Sequence, residues 1–335
     1  MENKIENYDK VPKISVVILT YNRAKLLARA IKSVLNQTFS DFELVIVNNS
    51  ATDNTDEIVK SFDDKRIIYK KNEKNEGPLG GKNTGLDVVR SKYLIFLDDD
   101  DEFLPDALET IIDKFAELSP KGVKILWFDC IDVETGGYSG SGLRKEGYVI
   151  YEDCLCSAIS GDYQMAIDRS IIGNDRFDSD LWGGILSILF LKLHRDNKAF
   201  YIPKVICKLY REHGYGRVSE PEVSFLDHIT KIVLTLKTFL KEYGEEIKIA
   251  CPKCYGQRLA SIGFYQILNG DTQEGRSNIL KSFKFYFSLA HFSIFMFSFV
   301  LDKKQIKSIC LNFFKTRKMT VNLSRKFIKP TCSNC

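Results

Sequence analysis

Asp98-Asp99-Asp100-Asp101 follow directly on the apolar run Tyr93-Leu94-Ile95-Phe96-Leu97. Four adjacent carboxylates at the exit of a buried strand repel one another unless a cation or a charged ligand neutralises them. Mg2+ or Mn2+ suits such a set, because hard ions take carboxylate oxygen and share their remaining positions with phosphate. An acidic run by itself is more often a solvated loop. The strand in front of this one favours a site.

Such a site needs a sheet beneath it. From Lys13 to Asp129 short β-branched runs alternate with amphipathic helical stretches, which is how a largely parallel sheet flanked by helices is written. Strands are expected at 14–19, 43–47, 66–70 and 93–97. Leu26, Leu27, Ala30, Ile31, Val34 and Leu35 recur at helical spacing after the first. A helix starting near Thr52 or Asp53 follows the second, and the glycine-bearing stretch 75–81 opens another that runs to about Val89. Pro105 fits the first turn of a helix over 106–118.

Open α/β sheets bind ligands at the carboxyl ends of their strands. That geometry brings Thr20-Tyr21-Asn22-Arg23, Asn48-Asn49 and Lys82-Asn83 towards the aspartates. Tyr21 can stack on a base, Asn49 can read a polar base edge, and Arg23 or Lys82 can meet phosphate charge. Each residue has an alternative reading as a turn former or surface charge. Together they suit a nucleoside diphosphate.

The segments VVILTYNR, SVLNQTFSDFELVIVNNSATDNT, NEGPLGGKNTGL and YLIFLDDDDEFLPDAL resemble the successive motifs of family 2 inverting glycosyltransferases with the GT-A fold. The resemblance covers about Lys13 to Leu118 and continues more weakly through FDSDL, YIPKVICKLYREH and Ser219. It implies a GT-A type, Rossmann-like α/β domain with a mostly parallel central sheet, then a smaller helical region. It also implies that Tyr21 flanks a uracil-type base, that Asn49 occupies a base-reading position, and that Asp98 and Asp100 form a DxD pair. Asp100 would be the main metal ligand, Asp99 would help bind ribose, and His213 would approach the metal or diphosphate. The function so implied is metal-dependent, inverting transfer from a nucleoside diphosphate sugar, UDP-linked, to a glycan or lipid-linked acceptor.

Two positions depart from the pattern. An acidic pair common after the second strand is Asn48-Asn49 here, which loses charge and keeps hydrogen-bonding capacity. Where such enzymes carry Glu-Asp after a glycine pair, the Asp being the general base, this chain reads Gly183-Gly184-Ile185-Leu186. Neither apolar side chain accepts a proton. Asp178 and Asp180 are the nearest substitutes in sequence, with capping or turn formation as their other reading. If no carboxylate serves, the alternative is a degenerate relative that binds a nucleotide sugar and acts as a partner protein. A nucleotidyltransferase is disfavoured, since no glycine-rich, lysine-bearing phosphate loop follows the first strand.

Composition limits the remaining classes. The 335 residues are 44% hydrophobic and 27% charged, the balance of a folded, globular chain. A net charge of +4 is too small to indicate nucleic-acid binding. The polar start MENKIENYDK lacks the apolar run of a secretory signal, so a reducing cytoplasmic location is expected, with most of the nine cysteines as free thiols. Cys251-Cys254 and Cys332-Cys335 could each supply half of a zinc site, though at no standard separation. The expected organisation is a flexible N-terminus (1–12), a donor-binding half (13–118), an acceptor-binding half (119–218) that includes a glycine-rich loop over 136–147, and a helical region (219–335).

In that last region Leu226, Ile229, Val233, Leu236 and Leu240 form one helical stripe. The apolar stretch 285–301 is seventeen residues long and holds His291 and three serines, so a buried or interfacial helix is favoured over a membrane span. Nine Lys or Arg and no acid lie between Lys303 and Lys329. Attraction to anionic lipid on the cytoplasmic face of a membrane and a solvated tail are both open readings of that run.

Overall fold

The computed structural model describes residues 11–181, 188–211, 228–301, 304–306 and 308–309. The chain forms two compact units, residues 1–215 and 216–335.

Among the described residues the first unit is built on a nine-stranded sheet in the order β3 (Ile67–Lys71), β2 (Phe42–Asn48), β1 (Ile14–Thr20), β4 (Tyr93–Asp98), β8 (Tyr163–Asp168), β6 (Val123–Asp132), β9 (Lys198–Leu209), β5 (Glu102–Phe103), with β7 (Gly147–Val149) also paired to β9. β1, β2, β3 and β4 are mutually parallel. Beyond β4 the pattern changes. β8 enters antiparallel between β4 and β6, while the long β9 runs parallel to β6. Two short strands, β5 and β7, close antiparallel on β9. One sheet thus carries both expected halves of this unit.

Both faces of the parallel strands are covered, which is why their sequences are apolar almost without interruption. Ile14, Val16 and Ile18 of β1 pack with Leu27, Ile31 and Val34 of α1 (Ala24–Leu35) and with Ile111 and Phe115 of α4 (Ala107–Leu118). Val17, Val45 and Val47 point the other way, towards α3 (Gly77–Val88). That helix lies close against the sheet because its contact positions are glycines: a Cβ on Gly85 would stand 2.5 Å from Val17 Cγ1. α2 (Thr55–Lys60) begins later than the predicted 52 or 53, yet Asp53 still organises its start. Its carboxylate accepts from Thr55 N at 3.2 Å and from Ala24 N at 3.0 Å, so one side chain serves the first turns of α1 and α2. Similarly α4 begins at Ala107, and Pro105 lies before it.

The remaining α-helices among the described residues of this unit are α5 (Tyr151–Leu155) and α6 (Ile188–Asp196). His194 of α6 is buried and accepts a 2.7 Å hydrogen bond from Trp127 Nε1. Burial lowers its pKa to about 4, so it is neutral core. The predicted loop 136–147 is stitched by single bridges, Ile131 to Tyr138 and Ser141 to Ser160, and ends in β7.

The second unit contains α7 (Ile229–Ala250), α8 (Pro252–Asn269), α9 (Thr272–Ser282) and α10 (Leu289–Phe297). Ile229, Val233 and Leu236 of the predicted stripe are buried and Leu240 partly so; Leu226 lies outside the described residues. α8 and α9 cross closely at Gly263 and Gly275, where a Cβ on the former would meet the carbonyl of the latter at 2.5 Å. Cys251 and Cys254 are joined as a disulfide, which corrects the expectation of free thiols there and leaves no thiolate pair for zinc. Cys332 and Cys335 lie outside the described residues. No described helix is long and apolar enough to cross a membrane. α10 is half-buried: Ile294 and Phe295 pack against the core of this unit, while no residue of the helix is fully covered.

Candidate active site

Strand register sets the site. Thr20 is level with Asn48 across β1 and β2, and Leu19 is level with Asp98 across β1 and β4, so the exits of three strands form one rim. Asp98 ends β4, and a tight turn closed by Asp101 N donating to Asp98 O at 3.1 Å leads into β5. Carboxylate oxygens of Asp98, Asp100 and Asp101 all lie within 4.8 Å of one another. The expected metal set was Asp98, Asp100 and His213. The turn supplies Asp101 as a third carboxylate, and His213 lies outside the described residues.

The electrostatics of this turn are unusual. Asp99, Asp100 and Asp101 are 5–7% exposed. Burial pushes Asp99 up to about 7, and the nearby charge of Arg23 only partly opposes the rise. Burial also drives Asp101 far above the usual carboxylate range, reinforced by the charges of Asp98 and Asp100. Three carboxylates whose oxygens converge within 4.8 Å of one another give the all-oxygen donor set that a hard divalent ion requires, so the residues present fit Mg2+ or Mn2+.

Cationic and aromatic side chains brace the turn. Arg23 Nη1 lies 3.2 Å from Asp99 and 3.0 Å from Asp100. The residue expected to meet phosphate is therefore already paired with the acid cluster, and Asp99, expected at ribose, is buried against it. Arg29 of α1 donates to the Asp100 carbonyl and lies 3.5 Å above the Tyr210 ring. Tyr210 in turn donates from its backbone N to Asp101 at 3.2 Å and from its hydroxyl to Glu102 at 2.8 Å. Beside it, Arg211 bonds Asp132 and Asp162, each at 2.5 Å. Arg29, Tyr210 and Arg211 were not foreseen as site residues. Their only signal was that Tyr210 and Arg211 fall in the LYREH segment that ends at His213.

Around the rim, Tyr21 is 44% exposed, free to present its ring to a ligand. Thr20 Oγ1 is buried and makes no well-formed hydrogen bond. Asn49 departs most from expectation. Its amide donates to Asn75 Oδ1 at 2.9 Å and to the Gly77 carbonyl at 3.0 Å, and its oxygen accepts from Asn72 Nδ2 and Glu76 N, both at 3.0 Å. These four bonds use both amide hydrogens and both oxygen lone pairs, and they tie the loop after β3 to the rim. Asn48 is likewise engaged, with Asp56, Tyr69 and Ala51 N.

Lys82 lies on α3 with its Nζ 5.3 Å from the Phe96 ring centre. Asn83, next to it, exchanges two 2.8 Å hydrogen bonds with the Phe177 backbone and thereby fixes the segment carrying Asp178 and Asp180 to α3. Both aspartates are exposed, and Asp178 accepts from Asp180 N at 3.0 Å in a turn. The turn-forming reading of Asp178 is realised, and its neighbour's carboxylate faces solvent. Gly183-Gly184-Ile185-Leu186 lie outside the described residues.

The model of Glycosyl transferase family 2 matches residues 15–165. The chain is 36% identical over 208 residues to the Campylobacter jejuni GalNAc(5)-diNAcBac-PP-undecaprenol beta-1,3-glucosyltransferase, a match over 60% of this chain and 65% of that protein, just under two thirds of its length. It is 35% identical over 260 residues to the succinoglycan biosynthesis protein ExoO of Rhizobium meliloti, covering 70% of each. Among solved structures, S. aureus TarS 1-349 in complex with UDP-GlcNAc superposes with a TM-score of 0.57 at 18% identity, over 81% of this chain and 89% of that one. At that identity the likeness is one of fold.

The filled amide of Asn49 yields a direct test. Asn49→Asp replaces two donors by a charged acceptor facing the Gly77 carbonyl and Asn75 Oδ1, and should cost about 2 kcal/mol of stability or more, read from urea denaturation midpoints. Unchanged stability with an altered nucleotide preference would return Asn49 to the role of base reader.

Proposed function

The chain belongs to glycosyltransferase family 2, and we propose that it transfers a hexose from a UDP-sugar to a glycan or lipid-diphosphate-linked acceptor, with inversion and with Mn2+ or Mg2+. The observation that carries this reading is the clustering of Asp98, Asp100 and Asp101 at the rim of the sheet. The TarS complex with UDP-GlcNAc and the lipid-linked acceptor in the Campylobacter relative's name support the choice of donor and acceptor class.

A divalent ion bound by the three carboxylates supplies charge stabilisation for the departing diphosphate. The chain's own residues do the rest. Tyr21 stacks on the base, Arg23 and the buried turn hold the carboxylates in register, and Lys82 adds positive charge beside the glycine-rich start of α3. Inversion requires the acceptor hydroxyl to attack the anomeric carbon opposite the diphosphate. The new C–O bond forms as the sugar–phosphate bond breaks, and the hydroxyl proton passes to a carboxylate. Asp180 is our candidate for that base and Asp178 the second, because Asn83 anchors their segment beside Lys82.

Two variants separate binding from turnover. Asp100→Ala should abolish Mn2+-dependent UDP binding in calorimetry, and undiminished binding would remove the metal assignment. Asp180→Asn should retain UDP binding while turnover falls about 100-fold. Full turnover would place the base elsewhere. A wild-type chain that binds UDP-sugars tightly and never releases UDP would instead be a nucleotide-sugar-binding partner protein.

We further propose that the second unit rests on an anionic membrane surface on the cytoplasmic side. Phe287, Leu289, Phe299 and Val300 are 57–83% exposed, and the basic run from Lys303 to Lys329 follows at once. Leu289→Glu with Val300→Glu should sharply reduce co-flotation with phosphatidylglycerol vesicles; flotation equal to wild type would rule this surface out.

A further inference from the structure

A groove of about 550 Å3 lies between α1 and the β5–β9 ladder, and the proposed transfer does not use it. Lys25, Arg29 and Lys32 line it from α1 at helical positions i, i+4 and i+7, with Lys208 of β9 and Glu102 and Phe103 of β5 on the other side. Like charges at that spacing share one helix face and repel. Their repulsion is not relieved within the protein. Lys25 and Lys32 pair with no carboxylate among the described residues. Arg29 is engaged by a carbonyl and an aromatic face, neither of which cancels its charge. Glu102 already accepts from the Tyr210 hydroxyl at 2.8 Å and stands 3.7 Å from Lys208 Nζ.

Four cations and one occupied acid line this concave, partly apolar site, so the lining itself carries net positive charge. A single carboxylate ligand would leave most of that charge unanswered, whereas a phosphate or diphosphate brings several acceptor oxygens and more than one negative charge. We propose that this groove binds a phosphate or diphosphate group distinct from the one held at the acid cluster. The two sites are neighbours through Arg29, which lines the groove and bonds the Asp100 carbonyl. A ligand in the groove thus sits one side chain away from the carboxylate turn. Binding there stands without the transferase reading; only the identification of the ligand as an acceptor's phosphate rests on it.

Calorimetry on the full chain in EDTA tests this, since the acid cluster without a divalent ion repels anions. The probes are inorganic pyrophosphate and a short-chain prenyl diphosphate, each titrated into wild type and into a Lys25→Glu, Lys32→Glu double variant, both positions being exposed. Wild type should bind, and the double variant should bind at least ten-fold more weakly. Tighter binding of the prenyl compound would assign the groove to a lipid-linked diphosphate. Equal binding would assign it to a soluble phosphate compound. No binding in EDTA, or equal affinity in the variant, overturns the proposal. Mn2+-dependent UDP binding, measured on the same proteins after exchange into EDTA-free buffer with Mn2+, reports separately on the donor site.

Discussion

The structure turns on the mutual repulsion of carboxylates held in a turn too tight and too buried to let them part. Even at 4.8 Å, the limit within which their oxygens lie, each charged pair costs roughly 1 to 3 kcal/mol, between water-like and protein-like screening. A chain that tolerates this at the end of a central strand either neutralises the group or leaves it partly protonated. Arg23 does the first for Asp99 and Asp100, and burial, reinforced by the charges of Asp98 and Asp100, raises the pKa of Asp101 towards the second. A divalent ion relieves what remains.

The surroundings follow from that constraint. β4 delivers Asp98, and the immediate start of β5 against β9 prevents the turn from opening. Tyr210 at the end of β9 and Arg29 on α1 clasp the turn from two further elements. β9 thus has a purpose beyond the core: it carries residues from far along the chain back to the acid cluster. The glycine contacts of α3 similarly bring its first turn, and the segment pinned by Asn83, towards the strand exits.

The parallel half and its acid cluster were readable in advance because their signals are local. A strand buried on both faces leaves an apolar run, and a ligand-bearing exit leaves polar residues directly after it, as in ILTYNR and IFLDDDD. Asn49 shows where such reading stops. Its position at a strand exit suggested a ligand contact, yet its four partners lie over residues 72–77, in a loop whose return path no local pattern records. The antiparallel entry of β8 and the length of β9 were hidden for the same reason, since pairing between segments far apart in the sequence, such as Tyr93 with Asp168 and Val123 with Lys198, has no periodicity of its own. Asp101 was in plain view within the quartet; the spacing of a DxD pair drew attention past it.

The most direct test of the central claim is the position of the ion itself. Anomalous scattering from crystals grown with Mn2+ and UDP should give a peak within coordination distance of Asp98, Asp100 and Asp101, bridged to the diphosphate. A nucleotide bound with Asp100 still paired to Arg23, and Mn2+ absent or elsewhere, would contradict the account.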